Sequence, residues 1–242
     1  MSLTRLKRWR VSPKILLVGV GGIFGYHFFF FSALHHAPAV EANLINYLWP
    51  LLIVLLTPLF FKTRSLHTHH IIGTFMGFIG AILVITQGHL QFSPIFLFGY
   101  LLAFLAALTW ACYSLMTKRL PTFPSETVGI FCLISGLLSL ALCLVGGYLF
   151  SSFSRLHGTE IFHLILLGLG PLGLAFFTWD KAMKAGDPRV IGALTYLTPL
   201  LSTLILVKLG GYSLSLTTTI GMTAIVVGAI IGSLDLFQKA SA

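Results

Sequence analysis

The stretch "EANLINYLWPLL", residues 41–52, sets Asn43, Asn46, Tyr47, Trp49 and Pro50 within about two helical turns of an otherwise apolar chain. On an α-helix Asn43, Asn46, Tyr47 and Pro50 fall at i, i+3, i+4 and i+7 and share one stripe, with Trp49 at its edge. Two amides, a phenol and an indole can hydrogen-bond to and stack on a planar solute. Pro50 removes a backbone donor and kinks the helix that carries them. None of the five is a nucleophile or a proton donor of useful pKa, so the chemistry offered is binding. In lipid an unsatisfied amide costs kilocalories, so the stripe faces either a wet cavity or a neighbouring helix to which it hydrogen-bonds. An interfacial aromatic belt is the plain alternative for Tyr47 and Trp49.

The remaining polar residues narrow the chemistry further. His27 is the one histidine well inside an apolar span, and it reads equally as a buried hydrogen-bonding residue or as a cavity residue. Glu41, Glu126, Glu160, Asp180, Asp187 and Asp235 all stand at span ends or in loops, so no deep acid points to sodium or proton coupling. "HTHH" (67–70) reads as a loop near headgroups rather than a metal site. "HHAPAVE" lacks the i, i+4 histidine pair of a zinc protease. There is no Ser/His/Asp pattern and no phosphate-cradling loop, and Cys112, Cys132 and Cys143 read as small buried hydrophobes. The expectation is a protein that is not an enzyme and needs no metal or cofactor.

The elements that carry these residues follow from composition. Of 242 residues 57% are hydrophobic and only 9% charged, against roughly 25% charged in a soluble domain. Hydrocarbon must solvate most of such a surface, so the class is all-α and polytopic, with the lipid bilayer as a partner. Eight runs approach the roughly 20 apolar residues a spanning helix needs: 14–34, 40–61, 71–87, 95–116, 126–149, 160–180, 189–208 and 217–236. The first is too long for a signal-peptide core and has no clean cleavage site, so it is read as a retained span. Thirteen of the fifteen Lys and Arg residues fall on one side of this topology, leaving Arg155 and Lys208 on the other. That bias puts both termini in the cytoplasm and makes nucleic acid an unneeded partner for a net charge of +9.

The chain also repeats itself. At a constant offset of 149 residues Tyr47, Leu48, Pro50, Leu51 and Leu52 meet Tyr196, Leu197, Pro199, Leu200 and Leu201. Gly19, Gly21 and Phe28 meet Gly168, Gly170 and Phe177 at the same offset. The first partner span runs inside to outside and its counterpart outside to inside, so the repeats are inverted, as in transporters that alternate access around a midplane site. The copies are read as 1–89, with three helices, and 90–242, with five. The parent architecture would be five plus five, its first two helices lying about 54 residues ahead of Met1. Pro50 and Pro199 are paired interruptions in corresponding spans, the best sequence pointer to a transporter binding site.

These residues carry a resemblance. "AxxxAPAVEANLINYLWPLL" (33–52), "GPLGLAFFTWDKAMKAGDPRVIGALTYLTPLLSTLIL" (170–206) and the glycine-spaced last span resemble the drug/metabolite transporter superfamily, in its EamA-type branch, over essentially the whole chain from about residue 14. The likeness is greatest to the bacterial aromatic amino-acid exporters of that branch. It implies a multi-pass protein of the inner membrane that exports aromatic or bulky neutral amino acids, or another metabolite or drug-like solute, through an aromatic-lined cavity. Carried over position by position, it implicates Tyr26, His27, Phe30, Tyr47, Trp49 and Trp110, beside the Asn43 and Asn46 read from the stripe. Phe30 stands where that subgroup favours tyrosine.

Overall fold

The computed structural model describes residues 11–89, 91–146, 157–210 and 215–235. Arg5, Lys7, Arg8, Arg10, Arg155 and Lys239, which bear on the expected topology, lie outside them, as do residues 147–149 and 236 of two expected spans. Every regular element among the described residues is helical. In chain order these are α1 (Pro13–His36), α2 (Ala39–Asn46), α3 (Trp49–Phe60), α4 (Thr68–Thr86) and α5 (Leu97–Arg119), the last entered through a 3-10 turn at Pro94–Phe96. There follow α6 (Thr127–Val145), α7 (Gly158–Leu169), a π-turn at Gly170–Leu174, α8 (Ala175–Ala185), α9 (Pro188–Thr195), α10 (Leu197–Gly210) and α11 (Leu216–Gly232).

Seven of the expected spans are long and apolar enough to cross a bilayer. The eighth, Leu216–Gly232, is shorter at 17 residues, about 25 Å of helix. Leu17, Leu59, Ile95, Leu169 and Leu209 are each more than two-thirds exposed, as side chains solvated by hydrocarbon should be. The chain is an all-α, polytopic membrane protein.

Two expectations about single spans need correction. The sequence predicts the spans 40–61 and 189–208 as single helices, each kinked by its proline. Each is instead two helices, broken after Asn46 and again after Thr195. Tyr47 N–H still reaches Asn43 O at 2.9 Å, but Leu48 N–H turns back to Ile45 O at 3.0 Å, a tighter i→i−3 bond that ends the α ladder. Pro50 and Pro199 therefore stand in the first turns of α3 and α10, where a missing N–H has no helical partner to lose. The second correction concerns Asp180. The span runs on to Ala185, so Asp180 sits inside α8 and is 2% exposed, rather than at a helix end.

The chain folds as two compact units. One comprises the described residues up to Gly25 together with Met116–Ala185. In it Gly19 gives the ring of Phe131 its space, since a Cβ there would collide with the ring. Asp180 accepts from Ser125 Oγ at 2.6 Å and pairs with Lys184 at 2.6 Å, while Lys118 Nζ donates to Met183 O at 2.6 Å. Asp180 is thus neutralised by a local cation one turn away.

The second unit comprises Tyr26–Leu115 and the described residues from Gly186 onward. Its tightest seam joins α4 to α11. A Cβ on Gly80 would lie 2.5 Å from Gly221 O, and one on Gly228 would lie 2.6 Å from Gly73 O. The two backbones touch directly, the small-residue packing that membrane helices use in place of a hydrophobic drive. Ala33, Ala37, Ala42, Leu102 and Ala103 form a second close contact of small residues among α1, α2 and α5.

Candidate functional site

The second unit gathers most of the predicted residues. Tyr26 and Phe30, one turn apart on α1, stack with planes 5° apart and centroids 5.8 Å apart. Trp110 of α5 packs on Tyr26 at 5.2 Å, and Trp49, at the start of α3, meets Trp110 edge to face at 6.3 Å. His27 stands edge-on to Tyr26 at 5.1 Å. These separations are those of favourable aromatic pairs, each worth about 0.5–1.5 kcal/mol beyond burial.

Asn46 enters this cluster from α2. Its Nδ2 donates to the hydroxyl of Tyr26 at 3.2 Å. Its Oδ1 is buried with no hydrogen-bond partner in the described protein. Leaving such an acceptor unpaired costs about 1–3 kcal/mol, so the residue beside Tyr26 carries a buried acceptor that no described group satisfies. Trp110 is 6% exposed, whereas Tyr26, Phe30 and Trp49 keep partly accessible faces.

The predicted stripe divides here. Asn43 and Tyr47 do not join the aromatic cluster. They line a cavity of about 600 Å³ with Gln87, Pro199, Thr203 and Thr218. The split is angular: about 100° per residue turns Asn46 roughly 60° from Asn43 and carries it to a different neighbour. Tyr47 and Asn46 nevertheless flank the same helix break. At that break Tyr196, fully buried, donates its hydroxyl to Tyr47 O at 3.0 Å. Two tyrosines equivalent in the repeat thus meet each other.

Sequence reasoning passed over four participants. Tyr113 packs on Trp110 at 5.2 Å, and its signal was its place three residues on along the same helix. Tyr196 was visible as the partner of Tyr47 in the repeat. Gln87 closes α4 with φ 51°, a left-handed cap that carries it into the cavity lining. Thr203 gave no signal beyond its place one turn after Pro199.

In the second unit a group of charged residues lies at span ends. Asp187 caps α9 by accepting from Arg189 N–H at 3.0 Å, and it pairs with Arg64 at 2.5 Å and with Arg189 at 2.9 Å. Burial pushes its carboxyl up, but the Arg189 hydrogen bonds, with the charges of Arg189 and Arg64, outweigh that and hold it below its ordinary value. "HTHH" is not a loop: His67 precedes the first residue of α4, and His69 and His70 lie in its first turn.

The family model of the EamA-like transporters matches residues 1–86 and 97–234. The chain belongs to that family. It is 43% identical over 218 residues to the aromatic amino acid exporter YddG of Ancylobacter novellus, covering 89% of this chain and 74% of that one. The YddG exporter of Escherichia coli is 26% identical over 184 residues, covering 71% of this chain and 59% of that one. A solved crystal structure superposes with a TM-score of 0.87 at 40% identity, over 98% of this chain and 81% of the other. The matched family is one of transporters and both YddG relatives are exporters, so the chain is a membrane protein of a transport family and not an enzyme.

Proposed function

We propose that this protein exports aromatic or other bulky neutral amino acids across the bacterial inner membrane, both termini lying in the cytoplasm. The observation that carries the reading is the aromatic cluster of Tyr26, Phe30, Trp49 and Trp110, joined at Tyr26 by Asn46, whose buried Oδ1 lacks a partner among the described residues. A planar side chain stacks on the rings while its ammonium donates to the amide oxygen, and each interaction lacks a partner of equal quality when a small aliphatic solute is substituted. The Ancylobacter novellus relative, an aromatic amino acid exporter, supports the same substrate class. Asn43, Tyr47 and the 600 Å³ cavity form a second stretch of the path.

Movement follows from the repeats, 1–89 and 90–242, rocking in opposite senses about the site. The breaks after Asn46 and Thr195 are the places where that motion is absorbed. Flux is facilitated rather than coupled, with no acid in the aromatic cluster to carry a proton or sodium ion.

The test is efflux of labelled phenylalanine, tryptophan and alanine from proteoliposomes holding the folded, monodisperse 242-residue chain. Saturable flux that favours the aromatic pair supports the proposal. Flux of all three alike returns the substrate to another metabolite. No flux from the folded chain, restored when two further helices are joined ahead of Met1, makes these residues part of a larger transport unit. No flux in either form leaves a scaffold role.

A further inference from the structure

Four donors converge where α4 begins. His67, His69, His70 and Asp235 each offer a ligand atom, and these atoms all lie within 4.8 Å of one another. His69 and Asp235 are 166 residues apart in sequence, yet His69 Nε2 lies 2.9 Å from Asp235 Oδ1. His70 is fully buried. Its Nε2 lies 3.2 Å from Asp235 Oδ2, but without the alignment of a hydrogen bond, so among the described residues this buried nitrogen has no hydrogen-bond partner. The rings of His69 and His70 are 4.1 Å apart.

We propose that these residues form a site for a divalent transition metal, zinc being the best fit, a function separate from the solute path. Three imidazoles and one carboxylate are the donor chemistry of zinc and its neighbours rather than of magnesium or calcium, which want oxygen alone. Bonds of about 2.0–2.2 Å in a tetrahedron separate donors by about 3.3 Å, so the set closes by side-chain rotation of an ångström or two. The scaffold under it is rigid. The glycine seam fixes α4 against α11, so the first turn of one helix and the residue just beyond the other are held in register. Outer contacts of the kind that orient ligating residues are also present. Ser65 Oγ lies 3.2 Å from His67 Nε2, and Arg189 reaches Asp235 at 3.5 Å while held mainly by Asp187.

Two local bonds oppose loading, because the His67 ring also accepts from the backbone N–H of His70 in a reciprocal cap. His70 Nδ1 accepts from His67 N–H at 3.3 Å, which leaves the ring proton on Nε2. Ligation through Nε2 moves that proton to Nδ1 and gives up the long bond. The metal thereby takes a position at Nε2 that no hydrogen bond among the described residues occupies.

The test is metal titration of the full chain in detergent micelles, free of any affinity tag, with zinc measured against a chromophoric chelator. Cobalt is the spectroscopic probe. One zinc per chain is expected, with the intense visible bands of four-coordinate cobalt. His69→Gln and Asp235→Asn should each weaken binding by at least about tenfold. His67→Gln, at an exposed position, serves where either of those fails to fold. His35→Gln/His36→Gln, an adjacent pair elsewhere, should bind as the parent does. Absence of stoichiometric binding by the folded parent overturns the proposal. So does binding that survives the site variants, which marks an adventitious ion only.

Discussion

Residues 39–60 and 188–209 share a motif and a break, yet they do different work. Both run Tyr-Leu-x-Pro-Leu-Leu across the interruption, and in both the proline opens the second helix. What differs is the side chains around it. Asn43, Asn46 and Trp49 of the first copy correspond to Gly192, Thr195 and Thr198 of the second. The first copy presents an amide and an indole to the aromatic cluster, while the second buries Tyr196 and ties it to the backbone of the first. The two segments thus keep one backbone device, while the side chains of the first meet the aromatic cluster and Tyr196 of the second supports the first.

If that division holds, exchanging residues between copies should hurt in one direction only. Gly192→Asn places a Cβ 2.7 Å from Val54 Cγ2 and 2.9 Å from Pro50 O, so the fold should lose about 1–3 kcal/mol. Asn43→Gly, the reverse exchange, should leave more of the folded fraction in a thermal melt. Next in size is Tyr196→Phe, which removes the donor to Tyr47 O and should cost about 0.6–1.7 kcal/mol of stability. Tyr47→Phe should shift the melt less, because its side chain faces the cavity. Equal losses from the two tyrosines would erase the distinction between them.

Recognition comes third. Trp49→Ala should weaken apparent affinity for an aromatic solute by about 0.5–1.5 kcal/mol, a few- to tenfold, whereas Thr198→Ala should leave flux kinetics unchanged. The smallest effect is electrostatic. The folded-state carboxyl of Asp187 is depressed, so its contribution is full above the ordinary aspartate range and is lost as pH falls through its folded value. Melting temperature should fall on acidification through that window, and Asp187→Asn should flatten the slope. With Arg64 about a third exposed, that ion pair alone contributes about 0.2–1 kcal/mol.

The spans were legible because a bilayer imposes length and composition on every helix that crosses it. The break after Asn46 was not, because proline four residues on is compatible with both a kink and a fresh helix start. Only the bond from Leu48 N–H to Ile45 O decides between them. The π-turn at Gly170–Leu174 was hidden for a similar reason, since "GPLGL" announces disturbance without its sense. Within the site, residue types were readable but helix rotation was not, so one stripe became two faces. Asp235 could not be joined to "HTHH" by any local pattern, because the glycine seam that aligns them is a property of two distant helices.

That seam has a consequence for descent. Contact between bare backbones offers selection no side chain to trim or enlarge by small steps. A side chain at Gly73, Gly80, Gly221 or Gly228 would therefore push the backbones of α4 and α11 apart, and one substitution suffices to do it.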